Sequence, residues 1–126
     1  MKLNPDCIRN ILLTVENTTG YGSYMRYPSN TEYELLKSFS YEEVMYHIKQ
    51  AELSGFTSKV SYFLGIGEGC LIQDLSPKGH EFVANIRLDN NWNKTKEIAK
   101  SVGSYSLDAL TKIATGVITN LINSSI

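Results

Sequence analysis

The stretch that decides the fold runs from Ser40 to Gly79: SYEEVMYHIKQAELSGFTSKVSYFLGIGEGCLIQDLSPKG. It opens on Ser40-Tyr41-Glu42-Glu43, the spacing of a capping box, in which Ser40 caps a helix and Glu43 reaches back to the cap. The helix so opened runs to about Ser54, and Gly55 ends it. Val44, His47, Ile48 and Ala51 make its inward face, and Tyr41, Glu42, Met45, Tyr46, Lys49 and Gln50 its outward face. After Gly55 the apolar period changes to two. Phe56 to Leu64 reads as one strand and Cys70 to Leu75 as another. The alternating glycines of Gly65-Ile66-Gly67-Glu68-Gly69 let the chain reverse between them, so the pair is a hairpin with a glycine tip. Ser76-Pro77 then starts a further helix, with a cap and a proline at the first helical position.

Upstream, Asn4-Pro5-Asp6 is another helix start, and Ile8, Ile11, Leu12 and Val15 give its apolar face. Asn17 to Gly22 stops it. Tyr21 to Thr31 is polar, with Tyr21, Tyr24, Arg26 and Tyr27 interleaved, and reads as an ordered loop or an edge strand. Tyr33 to Phe39 is a short strand or a short helix; periodicity does not separate the two. Downstream, Phe82, Val83 and Ile86 face inward, and Asp89-Asn90-Asn91 breaks or bends the helix. A further helix holds Trp92, Thr95, Ile98, Ala99 and Val102 and ends at Gly103. Ser104 or Ser106 caps the last helix. Its stripe of Leu107, Leu110, Ile113, Ala114, Val117, Ile118, Leu121 and Ile122 is wider than a lone exterior helix needs.

Composition sets the frame. The chain has 126 residues, 42% of them apolar and 20% charged, an ordinary globular mix that can bury a core without disulfides. Cys7 and Cys70 lack metal-like spacing and read as small buried residues in a reducing compartment. No apolar run follows Lys2, and nothing approaches the roughly 18 apolar residues of a membrane span, so the expected location is the cytoplasm of a bacterial host cell. The net charge is −1, so any affinity for DNA has to come from local placement of the twelve Lys and Arg.

The order of elements predicts an α+β, mostly helical chain: a winged helix-turn-helix with a two-stranded wing and two extra C-terminal helices. Residues 1–90 would form the winged-helix domain and 91–126 a helical extension for packing or dimerisation. The helix opened by Ser40 would be the recognition helix, and the glycine-tipped hairpin the wing.

Three segments carry a resemblance: Met1 to Arg9; Tyr46-His47-Ile48-Lys49-Gln50 with Leu53-Ser54-Gly55; and Asp74 to Phe82 continuing through Asn85-Ile86-Arg87 to Asn91-Trp92-Asn93-Lys94. Together they resemble a family of small winged-helix proteins of phages, prophages and their bacterial hosts, labelled as a domain of unknown function. The resemblance implies the fold and a phage context, and it implies no reaction and no catalytic residue. Ser76 to Gly79 is also similar to the Thr-Pro-x-Gly turn after the wing in many bacterial transcription regulators, with Ser in place of Thr.

Two functional expectations follow. One is a DNA-binding transcriptional regulator that contacts double-stranded DNA through Tyr41, Met45, Tyr46, Lys49 and Gln50, with Lys59 at the base of the wing. Gln50 suits adenine, and Lys49 suits guanine or a phosphate. Glu42 and Glu43 oppose this reading, as does a wing tip that carries Glu68 instead of Lys or Arg. The other is a protein-interaction module that binds or inhibits a host protein or defence complex, with Tyr21, Tyr24 and Arg26 as compact anchors. Leu107, Leu110, Ala114, Val117 and Leu121 fall in three-four spacing, which suits a homodimer seam or the completion of the chain's own core.

Sites of chemistry find less support. The glycine run lacks the Lys-Ser or Lys-Thr and the following helix of a phosphate loop. His47 lies on an apolar helix face and reads as a core residue. His80, beside Glu81, would bond a backbone carbonyl or the wing, and one histidine with one carboxylate is too few ligands for a metal. Arg87, Lys94, Lys96 and Lys100 form either a phosphate-contacting flank or, with Glu97, a solvated helix face; Trp92 reads as core or interface. Nothing combines a nucleophile, a base and an oxyanion donor, so the expectation is a non-enzyme with no cofactor and no metal.

Overall fold

A computed structural model describes residues 1–126. Its elements are α1 (Pro5–Thr18), β1 (Met25–Tyr27), α2 (Tyr41–Leu53), β2 (Val60–Phe63), β3 (Gly69–Ile72), α3 (Pro77–Ile86), α4 (Asp89–Val102) and α5 (Leu107–Ser124). The fold is α+β and mostly helical, five helices with one antiparallel three-stranded sheet. No helix is long and apolar enough to cross a membrane.

The caps explain where the helices begin. Asn4 Oδ1 accepts from the N–H groups of Asp6 at 3.0 Å and Cys7 at 3.3 Å. Ser40, Ser76 and Ser106 each accept from the third following N–H, those of Glu43, Gly79 and Ala109. The capping box at Ser40 is only half made. Glu43 does not return to the cap; its carboxylate accepts from Asn4 Nδ2 at 3.3 Å, which ties the start of α2 to the start of α1. α4 has no side-chain cap, and the chain turns at Arg87-Leu88. Asp89-Asn90-Asn91 is therefore the first turn of α4 and not the break the sequence suggests. Asp89 there faces the positive end of the helix dipole.

The sheet differs from a two-stranded wing. Its order is β1-β3-β2, with Met25 opposite Ile72 and Val60 opposite the same Ile72. The third strand is only three residues long, too short to show a period. Met25 is its one fully buried side chain, and that anchors it. The hairpin strands are also shorter than their apolar runs, because only Val60–Phe63 and Gly69–Ile72 pair regularly; a single bridge between Thr57 and Leu75 closes the base. Tyr33 to Phe39 is neither strand nor helix. Turns fill it, with Leu36 donating to Tyr33 O and Phe39 to Leu36 O, and Leu36 plugs the core.

The core runs without interruption across residue 90. Trp92, Ala99, Leu107, Leu110 and Ala114 join the same buried cluster as Ile8, Ile11, Val44, Phe56 and Phe82. This spends most of the expected dimer seam: Leu107, Leu110, Ala114 and Val117 are buried within one chain, and only Leu121 of that stripe stays exposed. A 126-residue chain needs its last helix to cover α3 and α4. Val102 is 65% exposed, at the last turn before the left-handed Gly103.

A polar seam docks α4 on α1. Asp6 Oδ1 accepts from Trp92 Nε1 at 2.8 Å and Lys96 Nζ at 2.9 Å. Arg9 donates to the carbonyls of Ile86 at 3.0 Å and Arg87 at 2.7 Å, and pairs with Asp89 at 3.0 Å, so it caps the end of α3 and the start of α4 together. Arg87 pairs with Glu16. Lys96 and Arg87 are thus structural ties, not members of a free phosphate-contacting flank.

Burial alone would raise the Asp6 pKa. The hydrogen bonds from Lys96 and Trp92 outweigh it, with the positive charge of Lys96 and Arg9 behind them, and hold the carboxyl below its usual value. A folded pKa below the unfolded one contributes stability that is present above the unfolded value, about 3.9. That contribution is lost as pH falls through the lowered folded value. Asp6→Asn is expected to be less stable than wild type at pH 7, with the gap narrowing below about pH 4. Urea midpoints across pH 2 to 7 check this, and a gap constant over that range would contradict it.

Candidate functional site

The exposed side of α2 and the adjoining hairpin make the most differentiated surface of the molecule. α2 is fixed from below. Val44, His47, Ile48 and Ala51 are buried. His47 uses both ring nitrogens: Nδ1 meets Glu43 O at 2.7 Å, and Nε2 accepts from the Asn4 N–H at 2.8 Å. Those partners define a neutral imidazole protonated on Nδ1, a core histidine with no capacity left for chemistry.

Above it the outward residues differ in availability. Tyr41 is half-buried and stacks on Tyr27, with ring centroids 6.1 Å apart. Met45 is half-buried against the core, which leaves little of it for a partner. Tyr46 sits edge-on to the His47 ring at 5.2 Å, and Gln50 is half-buried. Lys49 is exposed but engaged. Its Nζ lies 3.0 Å from Glu52 Oε1 and 4.8 Å from the centre of the Tyr62 ring. Tyr62 donates to the same Glu52 oxygen at 2.9 Å, which locks the end of α2 to β2. Burial, then the bond to Glu52 and its charge, push the Tyr62 phenol upward, so it stays a donor. α2 carries Glu42, Glu43 and Glu52 against Lys49, a net charge of two negative.

Strand register sorts the remaining candidates. Val60, Ile72 and Met25 share one row, and Tyr62, Cys70 and Tyr27 the next, both on the α2 side. Ser61, Leu71 and Arg26 form the row between them, which points away. Lys59, two residues before Ser61, goes with this opposite face, and it lines a small hollow with Tyr24, Ser61, Leu71 and Gln73. The structure therefore brings Tyr41, Met45, Tyr46, Lys49 and Gln50 together and leaves Lys59 elsewhere. Arg26, also on that face, donates to Gly67 O at 3.1 Å and lies over the Phe63 ring at 5.4 Å, bracing the hairpin tip.

The tip itself is apolar. Leu64 is 91% exposed and Ile66 107%, with Gly65 and Gly67 at positive φ on either side of Ile66. Leu64 follows directly on the end of β2, two residues after Tyr62. By sequence Leu64 falls in a strand and Ile66 in the tip, with no role expected of either. The available signal was two bulky aliphatics where a turn ordinarily carries polar residues.

Tyr21 and Tyr24 belong to a separate cleft of about 660 Å³ with Ser58, Gln73 and Asp74. Thr19 Oγ1 donates to Asp74 Oδ1 at 3.2 Å, and His80 Nε2 lies 3.7 Å from the same oxygen, so His80 faces the foot of the hairpin. No group of three His, Cys, Asp or Glu side chains converges to hold a metal. Burial raises the Cys7 thiol to about 12 and the Cys70 thiol to about 11, with carboxylates adding to it, so both are poor nucleophiles.

Fold and face together define a small, mostly helical α+β protein with two exposed aliphatic side chains on a braced hairpin. The chain belongs to the family described as hypothetical protein (DUF2513), which it matches over residues 2–106. It is similar to an uncharacterized protein of Haemophilus influenzae, 34% identical over 125 residues that cover 97% of this chain and 99% of that protein. The family match stops one residue before α5, whereas the Haemophilus relative extends along it. No solved structure matches.

Proposed function

We propose that the chain is a winged-helix protein whose α2 and hairpin face binds another protein. The order α1, β1, α2, hairpin, with β3 between β1 and β2, supports the winged-helix reading. In that arrangement the turns at Tyr33 to Phe39 stand where a regular second helix would be. One observation carries the protein-partner reading: an exposed Leu64 and Ile66 lead the hairpin, beside a helix with two negative charges. Binding to DNA draws its affinity from cations that neutralise phosphates. On this face Glu52 already engages Lys49, and Lys59 is on the other side of the sheet. Aliphatic side chains gain from entering an apolar pocket, about 1.5–3 kcal/mol each when fully buried. The phage resemblance makes a host protein or defence complex in the bacterial cytoplasm the natural partner, and the function one of contact, not catalysis.

Leu64→Ser with Ile66→Ser is expected to leave the thermal midpoint within a few degrees of wild type and to abolish capture of a saturable partner from host lysate. Capture undiminished by the double change would overturn the assignment.

A DNA-binding regulator is the second reading, favoured by the winged-helix order and by Tyr46, Lys49 and Gln50 sharing one exposed side of α2. Binding to random duplex at two salt concentrations separates the readings. The protein-partner reading expects none at low salt. The DNA reading expects binding that falls steeply with salt, and about a fivefold gain in affinity in Glu52→Gln as Lys49 is released.

A further inference from the structure

The sheet has two outer edges, and they differ. On β1, Tyr27 stands opposite Cys70 and is followed by Pro28. A non-bonded pair at Tyr27 would need a bond from the N–H of residue 28, and proline has none, so Tyr27–Cys70 and Met25–Ile72 are the hydrogen-bonded pairs. The alternation turns the backbone of Arg26 outward, where the Tyr33 hydroxyl donates to Arg26 O at 2.6 Å. That carbonyl is thereby taken. On β2, Gln73 donates its N–H to Lys59 O at 2.9 Å, which sets Ser61 and Phe63 toward β3. The N–H and C=O of Val60 and Tyr62 therefore point outward. Outside the ladder, the one bond made by either residue is that of the Tyr62 hydroxyl to Glu52. Val60–Phe63 also contains no proline and no charge, the usual guards of an edge strand.

We propose that the protein partner docks by adding an extended segment of its own chain to the free edge of β2. The inference rests on the protein-partner reading and gives it a mode. Outward N–H and C=O groups at strand spacing are complementary to one chemistry, an extended peptide backbone. Charge decides whose backbone it is. Two copies of β2 would pair antiparallel about a two-fold axis perpendicular to the sheet, which sets like faces on the same side. Two α2 helices, each with a net charge of two negative, would then share one side, and Lys59 and Arg26 of both copies the other. A foreign segment escapes that repulsion, and the α2 face selects one with Lys or Arg on its side. Glu52 receives both Tyr62 and Lys49 on Oε1, which leaves Oε2 open to that cation. β-branched or aromatic residues suit the alternate positions of the segment, on the side of Ser61 and Phe63.

Amide hydrogen exchange of the full chain tests the edge, and a displayed library of random linear peptides supplies the probe. In the free chain, Val60 and Tyr62 are expected to exchange about a hundredfold faster than Ser61 and Phe63. A selected peptide is expected to bind with a dissociation constant of about 10–100 μM and, at saturation, to slow Val60 and Tyr62 about tenfold with Ser61 and Phe63 unchanged. N-methylating every second residue of that peptide is expected to weaken binding about tenfold in one register and less than about twofold in the other. Glu52→Gln is expected to weaken it about threefold. Val60 and Tyr62 amides as slow as their neighbours in the free chain overturn the proposal, as does a library that yields no peptide protecting them. Protection that grows with the concentration of the chain alone puts a second copy on the edge and overturns it too. If the edge fails while capture from lysate still depends on Leu64 and Ile66, the protein-partner reading stands without it; if that dependence is lost as well, both fall.

Discussion

Gly79→Ala is expected to destabilise the fold by about 3 kcal/mol or more. A Cβ on Gly79 would sit 1.9 Å from Phe56 O and 2.9 Å from Phe56 C. Backbone, not a flexible side chain, meets it, so relief requires α3 to move away from the residues after α2. That movement breaks a compact set of bonds. Ser76 donates its N–H to Phe56 O at 2.9 Å and its hydroxyl to Gly55 O, while Lys78 Nζ reaches Ser54 O at 3.0 Å. It would also separate the Phe56 and Phe82 rings, which stack with centroids 5.0 Å apart. The Ser-Pro-Lys-Gly turn is thus a socket for the Phe56 carbonyl, and glycine is the residue that lets the helix close on it. Urea unfolding measures the loss; a cost below about 1 kcal/mol would show that α3 can shift freely.

Trp92→Ala is expected to cost about 3–5 kcal/mol. The indole is 2% exposed within the shared core, and its Nε1–H is one of two donors on Asp6. Its removal opens a cavity between α1 and α4 and leaves the Asp6 carboxylate to Lys96 alone. Trp92→Phe separates the two contributions. It keeps most of the packing and deletes the donor, so it is expected to lose about 1–2 kcal/mol. Equal losses in the two variants would mean that the hydrogen bond, and not the buried ring, holds α4 in place.

Four of the five helices were legible because each announces itself twice, by a cap and by an apolar stripe; α4, with no side-chain cap, shows only the stripe. Asn4-Pro5, Ser40 and Ser76-Pro77 begin helices at the expected residue, and of Ser104 and Ser106 it is Ser106 that caps the last. Long-range choices were not legible. Nothing in Met25-Arg26-Tyr27 says that it pairs with β3, since three residues cannot establish a period and the pairing partner lies more than forty residues away. Glu43 fits a capping box by spacing, yet Asn4 competes for it from another helix. The stripe on α5 predicts burial that Leu107, Leu110, Ala114 and Val117 show and Leu121 and Ile122 do not, and spacing cannot distinguish burial in the same chain from burial in a second one. Leu107 to Val117 went to the first. On the candidate face, the residues of α2 were identifiable from helical period, whereas the misplacement of Lys59 came from not knowing the register that turns it to the far side of the sheet.

The ties of α1 bear on how the protein is made. Asn4 waits for Glu43 and His47, and Asp6 waits for Trp92 and Lys96, partners up to 90 residues further along the chain. A ribosome adds roughly 5–20 residues each second, and its exit tunnel hides the newest of them. The first helix therefore waits with its apolar face uncovered until α2 and then α3 emerge to pack on it, and its polar ties to α4 form later still. Interrupted synthesis before α2 and α3 leaves a fragment with nothing to lay over Ile8, Ile11 and Val15, which makes such fragments substrates for chaperones and proteases instead of smaller working versions of the protein.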